Sequence, residues 1–203
     1  MYRLKSRFNW RSGVALQPAL ARHYAGTAAV KPAAAACTKS TLAPYAKSVQ
    51  LTPDGLFLLH WNITAMNDGI IAALEAKPGS GAETGWMSIG WTKKAGLMAP
   101  ADAVVGNLKA PNSIAAYTMK GKTLAFNMIK KSTSAALKLS AKSVVSTADG
   151  GKIVKFTRLG KGVLSPVSYT GNNNMIWAYS NSKAFNMHTN RGSIVINLGC
   201  TPV

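Results

Sequence analysis

The sequence predicts an all-β fold, an antiparallel β-sandwich, on two observations. Short segments in which apolar and polar residues alternate follow one another through most of the chain, separated by Asp-Gly and Lys-Gly turn signals. No stretch has the 3.6-residue apolar period of a long amphipathic helix. Many short strands with frequent turns and no long helix are typical of two packed sheets.

The clearest hairpin lies in residues 56–76. Apolar positions alternate along two strands, and Asp68-Gly69 supplies the tight turn between them. One face of the hairpin is therefore predicted to carry Phe57, Leu59, Trp61 and Ile63 on the first strand and Ile70, Ala72 and Leu74 on the second.

Two more hairpins and a closing strand follow the same pattern. Residues 113–129 turn around Lys120-Gly121, and residues 143–159 turn around Asp149-Gly150-Gly151. The segment SIVINL, residues 193–198, is predicted as the final strand. Residues 130–143, rich in lysine, serine and alanine, are predicted as a connector with room for one helical turn.

The chain is predicted to hold one folded domain after an N-terminal tail. Its 203 residues, 47% hydrophobic and 15% charged, suit a single globular unit. The first thirty residues have five lysines or arginines and no acid, as targeting sequences do, and an alanine-rich linker follows. We therefore expect a targeting segment and linker over residues 1–36 and the sandwich over 37–203.

The charge and the cysteines limit the partners and the compartment. A formal net charge of +18 favours acidic partners or anionic surfaces, but no nucleic-acid-binding signature and no apolar run long enough for a transmembrane helix accompany it. Cys37 and Cys200 bracket the patterned sequence, either as a disulfide of an oxidising compartment or as two free thiols. The arginine-rich N-terminus leaves a mitochondrial location open as the alternative to secretion or the cell surface.

Residues for hydrolytic catalysis are scarce. Six acids and three histidines leave few members for a triad, and neither His60 nor His188 with Asp102 comes with a nucleophile-elbow sequence. No phosphate-binding loop, dinucleotide fingerprint or histidine-rich zinc motif is present. The sequence therefore favours a binding or electron-transfer protein over an enzyme.

Two segments carry a family resemblance. Residues 84–106, TGWMSIGWTKKAGLMAPADAVVG, have a Gly-Trp strand, a Gly-aromatic pair and a methionine before an Ala-Asp-Ala-Val-Val strand. Residues 176–198, IWAYSNSKAFNMHTNRGSIVINL, place a histidine before an Arg-Gly pair and the last strand. In this order the two segments resemble the DOMON family over roughly residues 43–199, and in particular its haem b-binding cytochrome branch, which includes the plant auxin-responsive apoplastic cytochromes and the cytochrome domain of cellobiose dehydrogenase.

The resemblance implies an immunoglobulin-like sandwich that holds haem b between a methionine and a histidine, and Met98 and His188 stand at those two motif positions. A thioether favours ferrous iron and an imidazole binds both oxidation states, so the pair suits an electron carrier with no free coordination position for oxygen. The absence of a Cys-x-x-Cys-His motif agrees with non-covalent haem. Other members of the family bind sugars or other surface ligands without haem, which is the alternative function.

Several residues keep two interpretations. Met98 could fill a gap in the core, and Met187 and His60 are the competing ligand types. Arg191 could pair with a haem propionate or lie in solvent. Trp86, Trp91 and Trp177 are expected in the core, and Asp102 is expected to have a structural role with a partner that the sequence does not identify.

The partner is expected to be a separate redox protein. Relatives are fused to a membrane cytochrome b or to a flavin dehydrogenase, and the printed sequence contains neither. We therefore expect single electrons to pass to or from such a protein, and the positive charge suggests that its docking surface is acidic.

Overall fold

A computed structural model describes residues 33–108, 113–121, 128–182 and 188–203. The predicted targeting segment lies outside these residues, apart from the last part of the linker. The described chain forms two six-stranded antiparallel sheets and contains no α-helix, so the prediction of an all-β sandwich is confirmed. Within the same residues, no helix is long and apolar enough to cross a membrane.

The first sheet is built mainly from the two hairpins that the alternation predicted. Its strands, in spatial order, are β1 (Thr38–Lys39), β2 (Lys47–Gln50), β3 (Phe57–Ile63), β4 (Gly69–Ala76), β10 (Lys152–Leu159) and β9 (Lys138–Ser146).

The second sheet contains both segments that carry the family resemblance. Its strands, in spatial order, are β12 (Asn190–Asn197), β11 (Asn172–Ser180), β5 (Trp86–Thr92), β6 (Ala101–Asn107), β7 (Ile114–Met119) and β8 (Ile129–Lys131).

The core lies between the two sheets and is rich in aromatic residues. Phe57 of β3 packs edge-on against Trp177 and Tyr179 of β11, with ring centroids 5.8 and 5.4 Å apart. Trp61 and Trp91 are also almost fully buried. Burial and ring contacts of such side chains contribute about 2 kcal/mol each, so this aromatic core is a main source of the sandwich's stability.

The connector predicted over residues 130–143 is shorter than expected, so that prediction is wrong in extent. A single 3₁₀ turn spans Ala135–Leu137, as the prediction allowed, but β8 ends at Lys131 and β9 begins at Lys138. Strand β9 has no strictly buried face, since it is the end strand of its sheet and its side chains are exposed or half-buried. Its lysines and serines therefore did not show the alternation of a half-buried strand.

The two cysteines form a disulfide that joins the start of the domain to its end. Cys37 and Cys200 are bonded, with a sulfur–sulfur distance of 2.02 Å. Nearby, the amide of Ala35 donates to the carbonyl of Val195 of β12. The chain is therefore tied to β12 from Ala35 onward.

A row of three hydrogen-bonded polar side chains lies on the face of the first sheet that points away from the core, and its central residue is buried. Nδ1 of His60 lies 2.9 Å from Oγ of Ser40, and Nε2 lies 3.0 Å from Oε2 of Glu75. Tyr45 packs beside the imidazole, which has no exposed surface. Both ring nitrogens are therefore engaged within the fold, and His60 has no nitrogen free to bind a metal.

We expect Glu75 to make stability depend on pH. The hydrogen bond from His60 holds the pKa of this carboxyl below its ordinary value of 4.5, so the ionised form stabilises the fold above that value and its contribution disappears as the pH falls through the lower folded-state pKa. Glu75→Gln should cost about 1 kcal/mol near neutral pH and progressively less below pH ~4. Thermal melts of both proteins across this range measure the difference, and a constant difference would contradict the assignment.

Candidate functional site

The second sheet has an outer face whose central positions are small. Ser88 and Gly90 of β5, Ala101 and Ala103 of β6 and Ala178 of β11 lie on this face, because their neighbours along each strand point into the core. We call these five residues the small-residue floor. Gly90 is paired with Ala103 on one side and with Ile176 on the other. Gly90, Ala101 and Ala103 are buried beneath the larger side chains around them, among which Ile176 lies against Gly90.

Met98 lies at one end of this floor. It is half-buried in the loop between β5 and β6, and it packs on a small apolar cluster formed by Ala101, Ala103 and Met119, together with Ile129 and Ile176. These residues belong to the outer face, separate from the core between the sheets. The structure therefore places Met98 outside the main core, at the border of the floor.

Hydrogen bonds fix the loop that carries Met98. Gly96 has a φ of +75°, a left-handed conformation that favours glycine. The carbonyl oxygen of Pro100 accepts bonds from Oγ1 of Thr92, at 3.2 Å, and from Oγ of Ser165, at 3.3 Å. Both ends of the loop are therefore held where β5 and β6 meet.

Asp102, four residues after Met98, is anchored from the opposite side of the sheet. Its side chain is fully buried between the sheets, and its carboxylate accepts backbone N–H bonds from Val163 (2.7 Å), Leu164 (2.9 Å) and Ser165 (3.0 Å). These amides are the structural partner that the sequence did not identify. Because the donors are backbone groups about sixty residues further along the chain, no side-chain motif in the sequence could have predicted these bonds.

A buried arginine accompanies Asp102. The guanidinium of Arg158, on β10, lies 4.0 Å from the ring centre of Trp91, and none of its nitrogens has a hydrogen-bond partner among the described residues. The two charged groups flank Gly162: a Cβ atom built on this glycine would lie 2.8 Å from Oδ2 of Asp102 and 3.2 Å from Nη2 of Arg158. The carboxylate and the guanidinium are therefore close neighbours, although they make no hydrogen bond to each other. Burial lowers the pKa of Arg158 to about 10, against the opposing effects of Tyr169 and Asp102, and it remains charged at neutral pH.

His188 and Arg191 lie together at the other end of the floor. His188 is half-buried just before β12, and its Nε2 is 3.1 Å from Nη1 of Arg191. Arg191 pairs with Ala178, so its side chain projects from the outer face. A neutral imidazole must accept this bond through Nε2, because guanidinium can only donate.

The structure does not bring Met98 and His188 together. Three residues after Met98, Ala101 of β6 pairs with Thr92 of β5. Two residues after His188, Asn190 of β12 pairs with Tyr179 of β11, which in turn pairs with Met87 of β5. Thr92 and Met87 are five residues apart along β5, or about 17 Å at the usual rise per residue. The two predicted ligands therefore share one face but approach it from opposite ends.

The tryptophans divide between the two faces. Trp91 and Trp177 belong to the core, as expected for a sandwich. Trp86, by contrast, lies on the outer face at the His188 end, since Met87 beside it points inward. Tyr117 of β7 pairs with Ala103 and so lies on the same outer face. The sequence did not assign Trp86 or Tyr117 to the site. Strand alternation alone could have identified Trp86, because it is two residues before Ser88.

The Arg-Gly pair in the closing segment has a packing reason. A Cβ atom at Gly192 would come within 2.4 Å of Cζ2 of Trp177, so only glycine lets the indole ring lie against β12. Arg191 is thereby held on the outer face while the next residue accommodates the core. The family-like motif thus combines a site residue with a structural one.

The donor types, though not their spacing, are those of a haem site rather than of a bare metal ion. The described residues contain no cluster of three or more histidine, cysteine or acidic side chains that could hold a metal ion. They do offer one thioether and one imidazole on the same face, a guanidinium beside the imidazole and a floor of small residues between. Met187, the competing thioether, lies outside the described residues.

The fold and these residues define a β-sandwich with a methionine, a histidine and an arginine around one sheet face. No protein-family model matches the chain, and no curated protein is similar to it in sequence. Among solved structures, the fold is similar to that of the cytochrome b domain of pyranose dehydrogenase from Coprinopsis cinerea. The identity is 13% with a TM-score of 0.54, over 76% of this chain and 82% of that domain. The likeness establishes the β-sandwich fold.

Proposed function

We propose that this protein is a haem b-binding electron carrier of the DOMON family, in which Met98 and His188 would hold the iron. One observation carries the proposal: the two ligand types predicted from the motifs both lie on the outer face of the second sheet, on loops that would have to approach each other to hold one iron. The fold likeness to a cytochrome b domain supports it.

A haem bound on this face would supply one-electron oxidation and reduction at its iron. Met98 would contribute a soft sulfur ligand that favours the ferrous state, and His188 a nitrogen ligand that serves both states. With both positions occupied by protein side chains, no site for oxygen or peroxide would remain, which is the property of a carrier rather than of an oxidising enzyme.

The remaining site residues would position and enclose the group. Arg191 would exchange its bond to His188 for a haem propionate, which frees Nε2 of the imidazole. The bonds to Pro100 and Asp102 would hold the Met98 loop and reduce the ordering cost of binding. Trp86 and Tyr117 would provide aromatic walls that keep water from the ring.

We infer that the carrier works outside the cytoplasm with a separate redox protein, such as a flavoprotein or a membrane cytochrome b. The Cys37–Cys200 disulfide supports an oxidising compartment. The charge of +18 supports an acidic partner. The mitochondrial alternative rests on the N-terminal segment alone.

A haem-free binding module for sugars or another surface ligand is the second candidate. The separation of Met98 from His188 along the strands favours it, as does the direct contact between His188 and Arg191. On this alternative the outer face, on which Tyr117 is half-buried beside small residues, would bind a ligand by stacking and hydrogen bonds.

Reconstitution with haem distinguishes the two functions. We expect purified protein titrated with hemin to bind one equivalent and to show a low-spin spectrum whose α band sharpens on reduction by dithionite, because a Met/His pair gives six-coordinate iron. The reduced protein should not bind carbon monoxide readily. A folded protein that retains no haem after excess hemin has been removed would reject the haem function, and the haem-free binding module would remain as the candidate.

A further inference from the structure

Acidic side chains are almost absent from the second half of the chain. From residue 103 to residue 203 the sequence has thirteen lysines and arginines but a single acid, Asp149. Among the strands of the second sheet the one acidic residue is Asp102, and its carboxylate is buried. The positive charge is therefore not neutralised on the surface around the candidate site.

A groove opens where the end strands of the two sheets meet, between β8 and β9. It has a volume of about 450 Å³ and combines a cationic rim with an apolar floor. The rim carries Lys131, Lys138 and Lys142 together with the hydroxyl residues 132–134, and the floor includes Ile114, Leu137 and Leu139. We call this feature the β8–β9 groove. Its chemistry suits a segment that bears both carboxylates and apolar side chains.

The backbone of β9 limits how a partner can bind. The pairing of β9 with β10 is interrupted at Ala141, which has a φ of 45°, and the register shifts there. Such a bulge prevents a partner strand from adding continuously along the edge. Recognition would therefore depend on side chains in the groove, where Lys138, before the bulge, and Lys142, within it, are both exposed.

The β8–β9 groove is adjacent to the candidate site. Lys131 in its rim pairs with Tyr117 of β7, and Ile129 on the same strand packs against the cluster that contains Met98. Only the short strand β8 therefore lies between the groove and the Met98 end of the outer face. A partner held in the groove would come close to a group bound on that face.

We propose that the β8–β9 groove is the docking site for an acidic, partly apolar protein segment of the redox partner. The identity of that segment as part of a redox partner rests on the proposed function, whereas the binding itself does not. Lysines on an edge strand also protect against aggregation, but glutamates would protect equally well. Replacing these lysines with glutamates should therefore abolish docking of an acidic segment but leave the protection against aggregation intact.

A matched pair of variants tests the groove. Lys142→Glu reverses one charge on the rim, and Lys39→Glu reverses one exposed charge on β1, at the opposite edge of the first sheet, so both variants have the same net charge. The probe is a fluorescein-labelled peptide that alternates glutamate and leucine, followed by fluorescence anisotropy at low and at physiological ionic strength. Thermal melts check that both variants fold.

We expect the unaltered protein to bind the peptide in a salt-dependent manner. The groove variant should lose at least about tenfold in affinity, and the control variant no more than about threefold, since only the first reverses a charge in contact with the peptide. Equal losses in both variants would overturn the proposal, as would a failure of the unaltered protein to bind. So would a groove-dependent affinity for dextran sulfate with none for the peptide.

The measurement is made on haem-free and hemin-treated protein, so that the two proposals fail separately. Peptide binding that survives in a colourless protein supports the groove while rejecting the redox role. A normal haem spectrum without groove-dependent binding overturns the groove alone. Loss of both results would indicate that neither surface works as proposed.

Discussion

Replacing His188 with alanine is expected to abolish haem retention while leaving the sandwich folded. The imidazole is the stronger of the two donors, and its loss leaves a single thioether that holds iron weakly. His188 lies before β12 and outside the core, so its removal should lower the melting temperature little. The measurement is the haem content after gel filtration of hemin-loaded protein, at least about tenfold lower than in the unaltered chain.

Met98 should fail differently, because its loss leaves the imidazole in place. Met98→Ala should keep haem but open one position to carbon monoxide or added imidazole, and Met98→His should stay low-spin with a lower potential, since a second nitrogen favours ferric iron. Met66→Ala is the matched control, as this methionine is 85% exposed and far from the floor in the β3–β4 turn.

The outcomes distinguish ligation from packing. A methionine that only filled space would cost stability without altering the spectrum. An unchanged low-spin spectrum and potential in Met98→Ala would remove Met98 from the ligand set and direct attention to Met187. His60 is a weaker substitute, because both of its nitrogens are already engaged by Ser40 and Glu75.

Local patterns in the sequence were sufficient for the strands of the hairpins. In β3 and β4 the apolar residues alternate as predicted, and Ile63 pairs with Ile70. The predicted tight turn at Asp68-Gly69 is wrong, because Gly69 already belongs to β4 and the chain reverses in residues 64–68. The predicted inward face, which includes Trp61 and Leu74, is the face that packs in the core. Strands of this kind are specified by contacts between near neighbours, which the sequence displays directly.

Contacts between distant segments could not be predicted in the same way. The amides that hold Asp102 and the arginine beside it come from β10 and the loop that follows it, and backbone donors have no residue signature. The first part of the end strand β9, residues 138–142, has no buried face and is predicted as connector, whereas its last residues belong to the predicted 143–159 hairpin. The ligand types were predicted from motifs, but their placement at opposite ends of one sheet face follows from the strand order, which the sequence does not fix.

Asp102 is expected to be the most costly single residue to remove from the site region. Asp102→Ala takes away the acceptor of the Val163, Leu164 and Ser165 amides and leaves Arg158 as a buried charge with no neighbouring anion. Unpairing a buried charge in this way costs about 3 to 5 kcal/mol. Urea denaturation measures this loss as a lower midpoint with an unchanged slope.

The arginine determines how much of that loss can be recovered. Replacing Arg158 with methionine keeps most of its volume against Trp91 and removes the buried charge, so Asp102→Ala/Arg158→Met should be more stable than Asp102→Ala alone. Asp149→Ala, which removes an exposed carboxylate that bonds only within its own turn, is the control and should cost no more than about 1 kcal/mol.

The size of the recovery tests how the two groups are coupled. If Asp102 acts solely as the acceptor of the loop amides, the double variant should be no more stable than Asp102→Ala, because those donors stay unsatisfied. If the carboxylate also compensates the buried guanidinium, the free energies will be non-additive by at least about 1 kcal/mol. We expect the second result, since both groups lie within 3.2 Å of the same point beside Gly162 and the guanidinium has no other anion near it among the described residues. Simple additivity would show that the arginine is held by Trp91 alone.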